Sequence, residues 1–336
     1  MRQAENHGQG LRLPPVIFGT SCLGNLYKAI PYEEKLATVK EFFAHMGPVV
    51  VLDSAGKYGA GLALEVIGRA LRELDVPPGS VEISNKLGWL RVPLRGAEPT
   101  FEPGAWAALE HDAEQAISHD GILRCWEQGN ALLGASHRPS LLSVHDPDEF
   151  LAQGGKMEQV RGAYQALAEL KRRGEAKAVG VGAKDWRVIR EIAECVELDW
   201  AMLACSLTVM SHPPELLAFV EALRRRGVAV INSAVFHSGF LTGGAYFDYR
   251  EPKPEQFAWR ERFQSLCARH GVSPAVACVQ FGMAVPGVVS VALNTSNPRR
   301  VKENVALAST PVPDAFWRDL KGAGLVAKDF PYLGKD

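Results

Sequence analysis

The sequence predicts a single (β/α)8 TIM barrel, and three features of the chain support this. The length of 336 residues suits one large α/β domain, for which we take the bounds 1–336. Eight short apolar strands alternate with segments of helical periodicity, which favours a parallel sheet with right-handed crossovers. Eight such units within about 300 residues favour closure into a barrel over an open doubly wound sheet.

Apolar periodicity places the elements of the first half of the chain in order. Strands are predicted at 16–19, 49–53, 81–86 and 141–144, and helices at 36–46, 66–74, 121–133 and 157–173. The segment 88–118 is weakly periodic and rich in proline. We expect it to form either a loop over the site or the approach to the next helix.

The second half continues the same alternation up to the C-terminal region. Strands are predicted at 178–182, 200–205, 228–231 and 288–293, and helices at 186–196 and 214–226. The stretch 254–284 is expected to be rich in helix. Asn297 and Pro298 are predicted to cap and open the following helix, since proline favours the first helical turn.

Composition and charge exclude several classes of function. The formal net charge of -1 provides no electrostatic basis for binding nucleic acid or an anionic membrane. Residues 1–12 form a polar N-terminal extension without an apolar core, so no signal peptide is expected. No apolar run approaches the ~20 residues of a membrane helix. The six cysteines form no CxxC pair, which predicts reduced thiols and a cytoplasmic location.

The candidate active site follows from the residues that end three successive strands. The second, third and fourth strands end at Asp53, Lys86 and His145, and Tyr58 follows Asp53 by five residues. Catalytic groups of barrel enzymes come from the C-terminal ends of the strands. Because neighbouring strands lie ~4.8 Å apart, we expect these four side chains to share one pocket.

These four residue types are suited to moving a proton on and off an alcohol oxygen. A tyrosine of ordinary pKa ~10 is a poor catalyst at neutral pH. A lysine such as Lys86 favours the phenolate, and Asp53 keeps that lysine charged. His145 can then hydrogen-bond a carbonyl or hydroxyl oxygen, while the hydride must come from a cofactor. The alternative is a structural Asp53–Lys86 ion pair with His145 capping a loop, which the presence of all four residues disfavours.

The glycine pairs of the sequence do not form a dinucleotide-binding fingerprint. Leu64 occupies the third glycine position after Gly59 and Gly61, and Asp185 does so after Gly180 and Gly182. Barrels instead bind phosphate at the loops after strands seven and eight and at a helix N-terminus. Those loops are 236–239 and 294–296. No metal-binding histidine spacing and no Gly-x-Ser-x-Gly elbow is present, so neither a metal site nor a serine hydrolase is expected.

Four segments of the chain resemble the aldo-keto reductase family, and they occur in the family's order. They are 52–59, 84–88, 144–147 and 297–304. The opening 19–27 is most similar to the branch that contains L-fucose, D-threo-aldose and L-galactose dehydrogenases, with pyridoxal 4-dehydrogenase as a near neighbour. The resemblance implies a catalytic tetrad of Asp53, Tyr58, Lys86 and His145, with Trp89, Tyr58 and His145 contacting the substrate.

The resemblance also implies a nicotinamide cofactor. The expected cofactor-binding residues are Gly19, Thr20, Asp53, Lys184, Cys205, Phe236, Ser238, Gly239, Leu241, Asn294, Ser296, Arg300 and Asn304. Arg300 and Asn304 match adenosine-binding positions, although Arg300 also fits a solvated helix face. NADP enzymes of the family often have a lysine where this chain has Asn294, so NAD is expected and NADP remains possible. Lys184 replaces an asparagine that often holds the nicotinamide carboxamide.

The activity implied by the resemblance is the oxidation of an aldose lactol at C1 to the lactone. A pyridoxal 4-dehydrogenase and a general aldehyde reductase are alternatives, because aromatic residues such as Trp89, Trp106 and Phe240 suit all three substrates. A non-catalytic nicotinamide-sensing subunit is a further alternative, which the intact tetrad disfavours. The expected partner is a small sugar or aldehyde.

Overall fold

Eight parallel strands close into a barrel in a computed structural model that describes residues 11–248 and 250–334. They are β1 (Val16–Gly19), β2 (Val50–Ala55), β3 (Val81–Leu87), β6 (Leu141–His145), β7 (Ala178–Ala183), β8 (Trp200–Ala204), β9 (Ala229–Ser233) and β10 (Val288–Leu293). Their order around the barrel is β1-β10-β9-β8-β7-β6-β3-β2. This confirms the predicted (β/α)8 barrel. The polar extension predicted for 1–12 lies outside the described residues except for Leu11 and Arg12.

Helices cover the outside of the barrel. They are α1 (Tyr32–His45), α2 (Leu62–Glu73), α3 (His119–Leu133), α4 (Pro147–Ala152), α5 (Met157–Arg172), α6 (Trp186–Cys195), α7 (Pro214–Arg225), α8 (Pro254–His270), α9 (Pro274–Met283), α10 (Val301–Leu307) and α11 (Asp314–Gly322). The stretch 254–284 divides at Gly271, whose φ of 63° ends α8. No helix of the described residues is long and apolar enough to cross a membrane.

The segment 88–118 contains a β-hairpin that the sequence analysis did not predict. Its strands are β4 (Trp89–Pro93) and β5 (His111–Gln115), which pair antiparallel between β3 and α3. Polar residues alternate irregularly along both strands, so the apolar pattern that marks the barrel strands is missing. The hairpin packs closely on the β2–α2 loop: a Cβ atom on Gly56 would lie 2.6 Å from the carbonyl oxygen of Trp89.

The barrel interior below the site is filled by apolar side chains from alternate positions of the strands. Trp200 is the largest fully buried side chain among them. A Cβ atom on Gly180, the residue opposite Trp200 in the β7–β8 register, would lie 2.3 Å from the indole ring. Gly180 therefore makes room for the Trp200 ring. This packing role accounts for the glycine without a nucleotide-binding motif.

Candidate active site

The C-terminal ends of β2 and β3 bring Asp53 and Lys86 into a buried ion pair. The Nζ of Lys86 donates to Oδ2 of Asp53 at 2.5 Å. Oδ1 of the same carboxylate accepts at 3.2 Å from the hydroxyl of Ser84, the residue directly opposite Asp53 in the β2–β3 register. Both charged side chains are buried. The pair therefore satisfies the condition for burying charge, a close partner and further hydrogen bonds.

Tyr58 lies between this ion pair and His145. The ammonium of Lys86 is 4.7 Å from the centroid of the Tyr58 ring. The imidazole of His145 meets the same ring edge-on, with the centroids 5.5 Å apart. The loop carrying Tyr58 turns at Gly59, where φ is 62° and a Cβ atom would lie 2.3 Å from the oxygen of Gly24. The structure thus brings the four predicted residues together.

The environment of Tyr58 keeps its phenol protonated at neutral pH. Burial raises its pKa well above the ordinary value, and the carboxylates of Asp53, Asp146 and Glu102 raise it further, while Lys57 acts against them. The lysine beside the tyrosine, considered alone, predicts a lowered pKa. In the structure, desolvation and negative charge outweigh the cations.

His145 is held as a neutral imidazole. Burial lowers its pKa to about 3; the carboxylate of Asp146 opposes this effect, and Lys86, Lys57 and Lys184 reinforce it. Its Nε2 lies 3.7 Å from Oδ2 of Asp146. Its Nδ1 is buried and has no hydrogen-bond partner among the residues that the structure describes. A neutral ring with an unpaired nitrogen is suited to hydrogen-bond a substrate oxygen.

A second buried lysine, which the sequence analysis did not single out, lies beside Tyr58. The Nζ of Lys57 contacts carboxylate oxygens of Asp146 at 3.0 Å, Glu149 at 2.7 Å and Glu102 at 2.9 Å. Burial alone would lower its pKa, but the three carboxylates together raise it above the ordinary value. The only sequence signal was a lysine in the loop that follows the apolar run 49–52 and Asp53.

An aromatic wall borders the tetrad on the side of the hairpin. The ring centroid of Trp106 is 6.1 Å from that of Tyr58, and Phe101 packs between Trp106 and Trp89. Trp89 belongs to this wall through Phe101, and its contact with a substrate stays a prediction. Phe240 is not part of this wall, because it is fully buried with its ring packed against Phe247 and Phe257.

The predicted cofactor residues lie at the same end of the barrel, at or after the C-terminal ends of six strands. Gly19 ends β1 and Thr20 follows it, Asp53 lies near the end of β2, Lys184 follows β7, Cys205 follows β8, the residues 236–241 follow β9, and Asn294, Ser296, Arg300 and Asn304 follow β10. The backbone N–H and the hydroxyl of Thr20 both donate to the carbonyl oxygen of Asp53 at 3.0 Å. The amide of Asn294 donates to the hydroxyl of Ser21 at 2.8 Å. These contacts join the edge of the cofactor region to the tetrad.

The loop after β9 has a backbone that suits a phosphate group. His237, Ser238 and Gly239 have φ values of 49°, 58° and 85° in succession. Turn backbones of this kind can present neighbouring N–H groups to an anion. On the neighbouring strand end, the side chain of Asn297 accepts from the N–H of Arg299 at 3.1 Å, which confirms the predicted cap.

Lys184 and Arg300 are both exposed at this edge. The N–H of Lys184 donates to Oδ2 of Asp148 at 3.1 Å, and its carbonyl oxygen accepts from the hydroxyl of Ser206 at 2.5 Å. These bonds fix the backbone at Lys184.

A group of three potential metal ligands lies within the cofactor region. Atoms of Cys205, His237 and Asp248 lie within 4.8 Å of one another. Both ring nitrogens of His237 already have partners, Asp248 at 2.8 Å and Thr208 at 2.8 Å. Burial raises the pKa of the Cys205 thiol, and Asp248 raises it further. Because the thiol is protonated and both imidazole nitrogens are hydrogen-bonded, we interpret this group as a hydrogen-bonded contact between loops rather than a preformed metal site.

Three characterised proteins are similar to this chain over most of their length. Pyridoxal 4-dehydrogenase of Microbacterium luteolum is 28% identical, over 95% of this chain and 96% of the relative. D-threo-aldose 1-dehydrogenase of a Pseudomonas species is 25% identical, over 94% and 96%. L-galactose dehydrogenase of Arabidopsis thaliana is 23% identical, over 88% and 85%.

Solved structures and a family model agree with these relatives. Glycerol dehydrogenase from Gluconobacter oxydans has a TM-score of 0.71 at 17% identity, covering 96% of this chain and 95% of its own. An aldo-keto reductase from Bacillus halodurans has a TM-score of 0.69 at 18% identity, with the same coverage. Both show the same fold. The model of the aldo/keto reductase family matches residues 15–324. The chain therefore belongs to the aldo/keto reductase family and is an NAD(P)-dependent oxidoreductase.

Proposed function

We propose that the chain oxidises a ring-closed aldose at C1 to the lactone, with NAD⁺ as the oxidant. The observation that carries this proposal is the packing of the Tyr58 phenol between the ammonium of Lys86 and the imidazole of His145, beside Trp106. This arrangement supplies a proton acceptor and a hydrogen-bond partner for one alcohol oxygen, next to an apolar surface on which a ring can stack.

The cofactor would be held by residues from six strand ends of the barrel. These are Gly19, Thr20, Asp53, Lys184, Cys205, Phe236, Ser238, Gly239, Leu241, Asn294, Ser296, Arg300 and Asn304. The left-handed run at 237–239 is the candidate pyrophosphate site, because turns of this kind can present neighbouring N–H groups to an anion. A bound nicotinamide supplies or takes the hydride, for which no side chain is suited.

In this proposal the proton moves through Tyr58. His145 hydrogen-bonds the oxygen on C1 and orients it, since its neutral ring offers an unpaired nitrogen. Tyr58 removes the proton from that oxygen during oxidation and returns it during reduction. Lys86 lies over the phenol and its cation favours the phenolate, while Asp53 accepts from Lys86 and orients it.

A raised tyrosine pKa gives the two directions different pH dependences. Oxidation needs the phenolate, whereas reduction needs the phenol. Because burial raises the pKa of Tyr58, the phenol predominates at neutral pH. We therefore expect oxidation to speed up as the pH rises above neutrality, and reduction to change little until the phenol begins to ionise.

The aromatic wall and the relatives support a sugar as the substrate. The C–H face of a pyranose packs on rings such as those of Trp89 and Trp106, and its hydroxyl groups pair with polar side chains. Two of the three similar proteins are named for sugars, D-threo-aldose and L-galactose. In this chain, the free state of all six cysteines fits a reducing compartment such as the cytoplasm.

Pyridoxal is the second candidate substrate. A protein named pyridoxal 4-dehydrogenase is 28% identical, and a planar pyridine ring would also stack on Trp106. A panel of L-fucose, L-galactose, D-arabinose and pyridoxal, assayed with NAD⁺ and NADP⁺ by the absorbance of the reduced cofactor, separates the candidates. The proposal requires turnover of at least one aldose with a lactone product.

The other outcomes of this panel each contradict the proposal. Exclusive turnover of pyridoxal would replace the aldose with that substrate. Reduction of simple aldehydes without oxidation of any sugar would indicate a general aldehyde reductase. Cofactor binding with no turnover of any compound would indicate the non-catalytic nicotinamide-binding subunit.

A further inference from the structure

Lys57 links two parts of the chain that both border the site. Glu102 belongs to the loop 94–110 at the tip of the β4–β5 hairpin. Asp146 and Glu149 lie at the end of β6 and in the first turn of α4. The ammonium of Lys57 contacts all three carboxylates within 3.0 Å. We call these four residues the Lys57 clasp.

The clasp is a strong connection because the ammonium is removed from water. Only 2% of the Lys57 side chain is exposed, so its charge depends on the surrounding carboxylates. The three partners keep it charged by raising its pKa. Its charge also faces the ring of Trp89, whose centroid is 4.6 Å away. The buried lysine therefore holds the hairpin loop, through Glu102, against the end of β6 and the start of α4, through Asp146 and Glu149.

The clasp reaches the aromatic wall through Glu102. One carboxylate oxygen of Glu102 pairs with Lys57 at 2.9 Å, and the other accepts from Nε1 of Trp106 at 2.8 Å. Two backbone hydrogen bonds also hold this turn. The N–H of Tyr27 donates to the carbonyl oxygen of Ala105, and the N–H of Ala107 donates to the carbonyl oxygen of Asn25. The indole of Trp106 is thus fixed in orientation beside Tyr58, at a centroid distance of 6.1 Å.

We propose that Lys57 is a positioning residue for large substrates: through Glu102 it holds Trp106 beside Tyr58, and so determines how tightly a ring-shaped substrate is bound. A small aldehyde needs only the tetrad for its chemistry, and should be nearly indifferent to the clasp. The choice of an aldose as the large substrate rests on the proposed function.

A different role for Lys57 would act through the chemistry itself. Asp146 joins the clasp to His145, with 3.7 Å between Oδ2 of the carboxylate and Nε2 of the imidazole. If that connection governed catalysis, disturbing Lys57 would change the turnover of small and large substrates alike. The two roles therefore differ in how the effect depends on substrate size.

Glu102→Leu tests the loop side of the clasp, and Glu149→Leu is the matched control on the barrel side. Glu102→Leu should raise the aldose KM about 10-fold or more, as expected for lost uniform binding. It should not lower kcat by more than about 3-fold, because loss of a carboxylate that raises the Tyr58 pKa favours the phenolate that oxidation needs. The kcat/KM for reduction of propionaldehyde should stay within about 3-fold of the parent value. Glu149→Leu should have a much smaller effect on the aldose KM, because Asp146 still ties Lys57 to the barrel.

Two further measurements separate positioning from a loss of folding. Lys57→Arg should restore most of the aldose affinity that Lys57→Met loses. Hydrogen exchange of the parent and of Glu102→Leu should show faster exchange of the amides of Tyr27 and Ala107 in the variant, because these amides bond across the turn. Exchange at the barrel strands should be unchanged.

Two results would overturn the proposal. The first is an equal fall of kcat/KM for aldose and propionaldehyde in Glu102→Leu. The second is an unchanged aldose KM in that variant. The parent enzyme's own substrate panel tests the proposed function separately: if the parent oxidises pyridoxal and no aldose, pyridoxal becomes the large substrate and the clasp is tested with it.

Discussion

Lys86 and Gly182 face each other inside the barrel from strands that are not neighbours. A Cβ atom on Gly182 would lie 3.1 Å from Cδ of Lys86. The strand β6 lies between β3 and β7, so the two residues approach each other across the barrel interior and not between hydrogen-bonded strands. The missing side chain at Gly182 leaves the lysine stem a straight path to Asp53 and Tyr58.

Replacing Gly182 tests whether that path matters for catalysis. Gly182→Ala should move the Lys86 stem by a few tenths of an ångström and lower turnover several-fold, since displacements of about 1 Å can cost 10²-fold. The free energy of unfolding should change little, because the new Cβ atom meets only the flexible stem of Lys86.

Gly180→Ala is the control: its Cβ would lie 2.3 Å from the Trp200 ring, and overpacking of this kind should destabilise the fold by about 3 kcal/mol. Denaturant unfolding and steady-state kinetics of both variants distinguish the two glycines, and a Gly182→Ala enzyme of normal turnover would contradict the prediction.

Removing the phenol of Tyr58 tests the proton path. Tyr58→Phe should lower turnover by about 10²–10⁴-fold, the usual contribution of a positioned acid or base. The aromatic ring and its contacts with Trp106 and His145 stay in place, so substrate and cofactor should still bind. Turnover and cofactor titration of the same preparation check this. Near-normal turnover would show that another group passes the proton.

Lys86 should govern the pH at which oxidation reaches half its maximum. Its ammonium, 4.7 Å from the Tyr58 ring, favours the charged phenolate. Lys86→Met removes that cation and leaves the carboxylate of Asp53 unpaired, and both changes raise the tyrosine pKa. The half-maximal pH of oxidation should therefore move upward, and Lys86→Arg, which keeps the charge, should shift it less. A pH–rate profile of Lys86→Met that overlays the parent profile would exclude the lysine from this role.

His145 should make the fold less stable in acid. Its pKa is about 3 in the folded protein and about 6.5 when unfolded, so only the unfolded chain takes up the proton between these values. The stability present above pH 6.5 is therefore lost as the pH falls, by about 2 kcal/mol between pH 8 and pH 5. His145→Gln lacks this proton uptake, so the unfolding free energy of the parent minus that of the variant should fall by about 2 kcal/mol between pH 8 and pH 5. Parallel curves over that range would show that the imidazole titrates normally.

The barrel and the tetrad could be predicted because they follow from local patterns. Buried apolar strands are readable from composition, and parallel closure places their C-terminal ends together, so Asp53, Lys86 and His145 had to meet. The contacts that the sequence analysis missed depend on chain segments far apart. Lys57 is buried only because Glu102 and Asp146 reach it from two different loops. A single lysine in a loop gives no sign of such partners.

Two other differences have the same origin. The hairpin was missed because its strands bury only a small apolar cluster and carry polar residues on both faces. The direction of the Tyr58 pKa was wrong because desolvation depends on the full surroundings of the ring, which a motif does not describe.

Asn294 should make the enzyme prefer NAD⁺ over NADP⁺. The residue is exposed after β10, and its amide is engaged with the hydroxyl of Ser21. A 2′-phosphate carries close to two negative charges and is bound well only with a cation or several hydrogen-bond donors nearby. Arg299 and Arg300 are exposed on the following short helix, where we expect them to contact the adenine or water. Asn294→Lys should therefore shift binding towards NADP⁺ by about 1–3 kcal/mol if a charge-assisted bond forms.

Fluorescence titration of the parent and the variant with both cofactors measures the shift, and Asn294→Gln, which adds length without charge, is the control. If the parent already binds NADP⁺ more tightly, a cation such as Arg299 or Arg300 reads the phosphate, and the preference must be reversed.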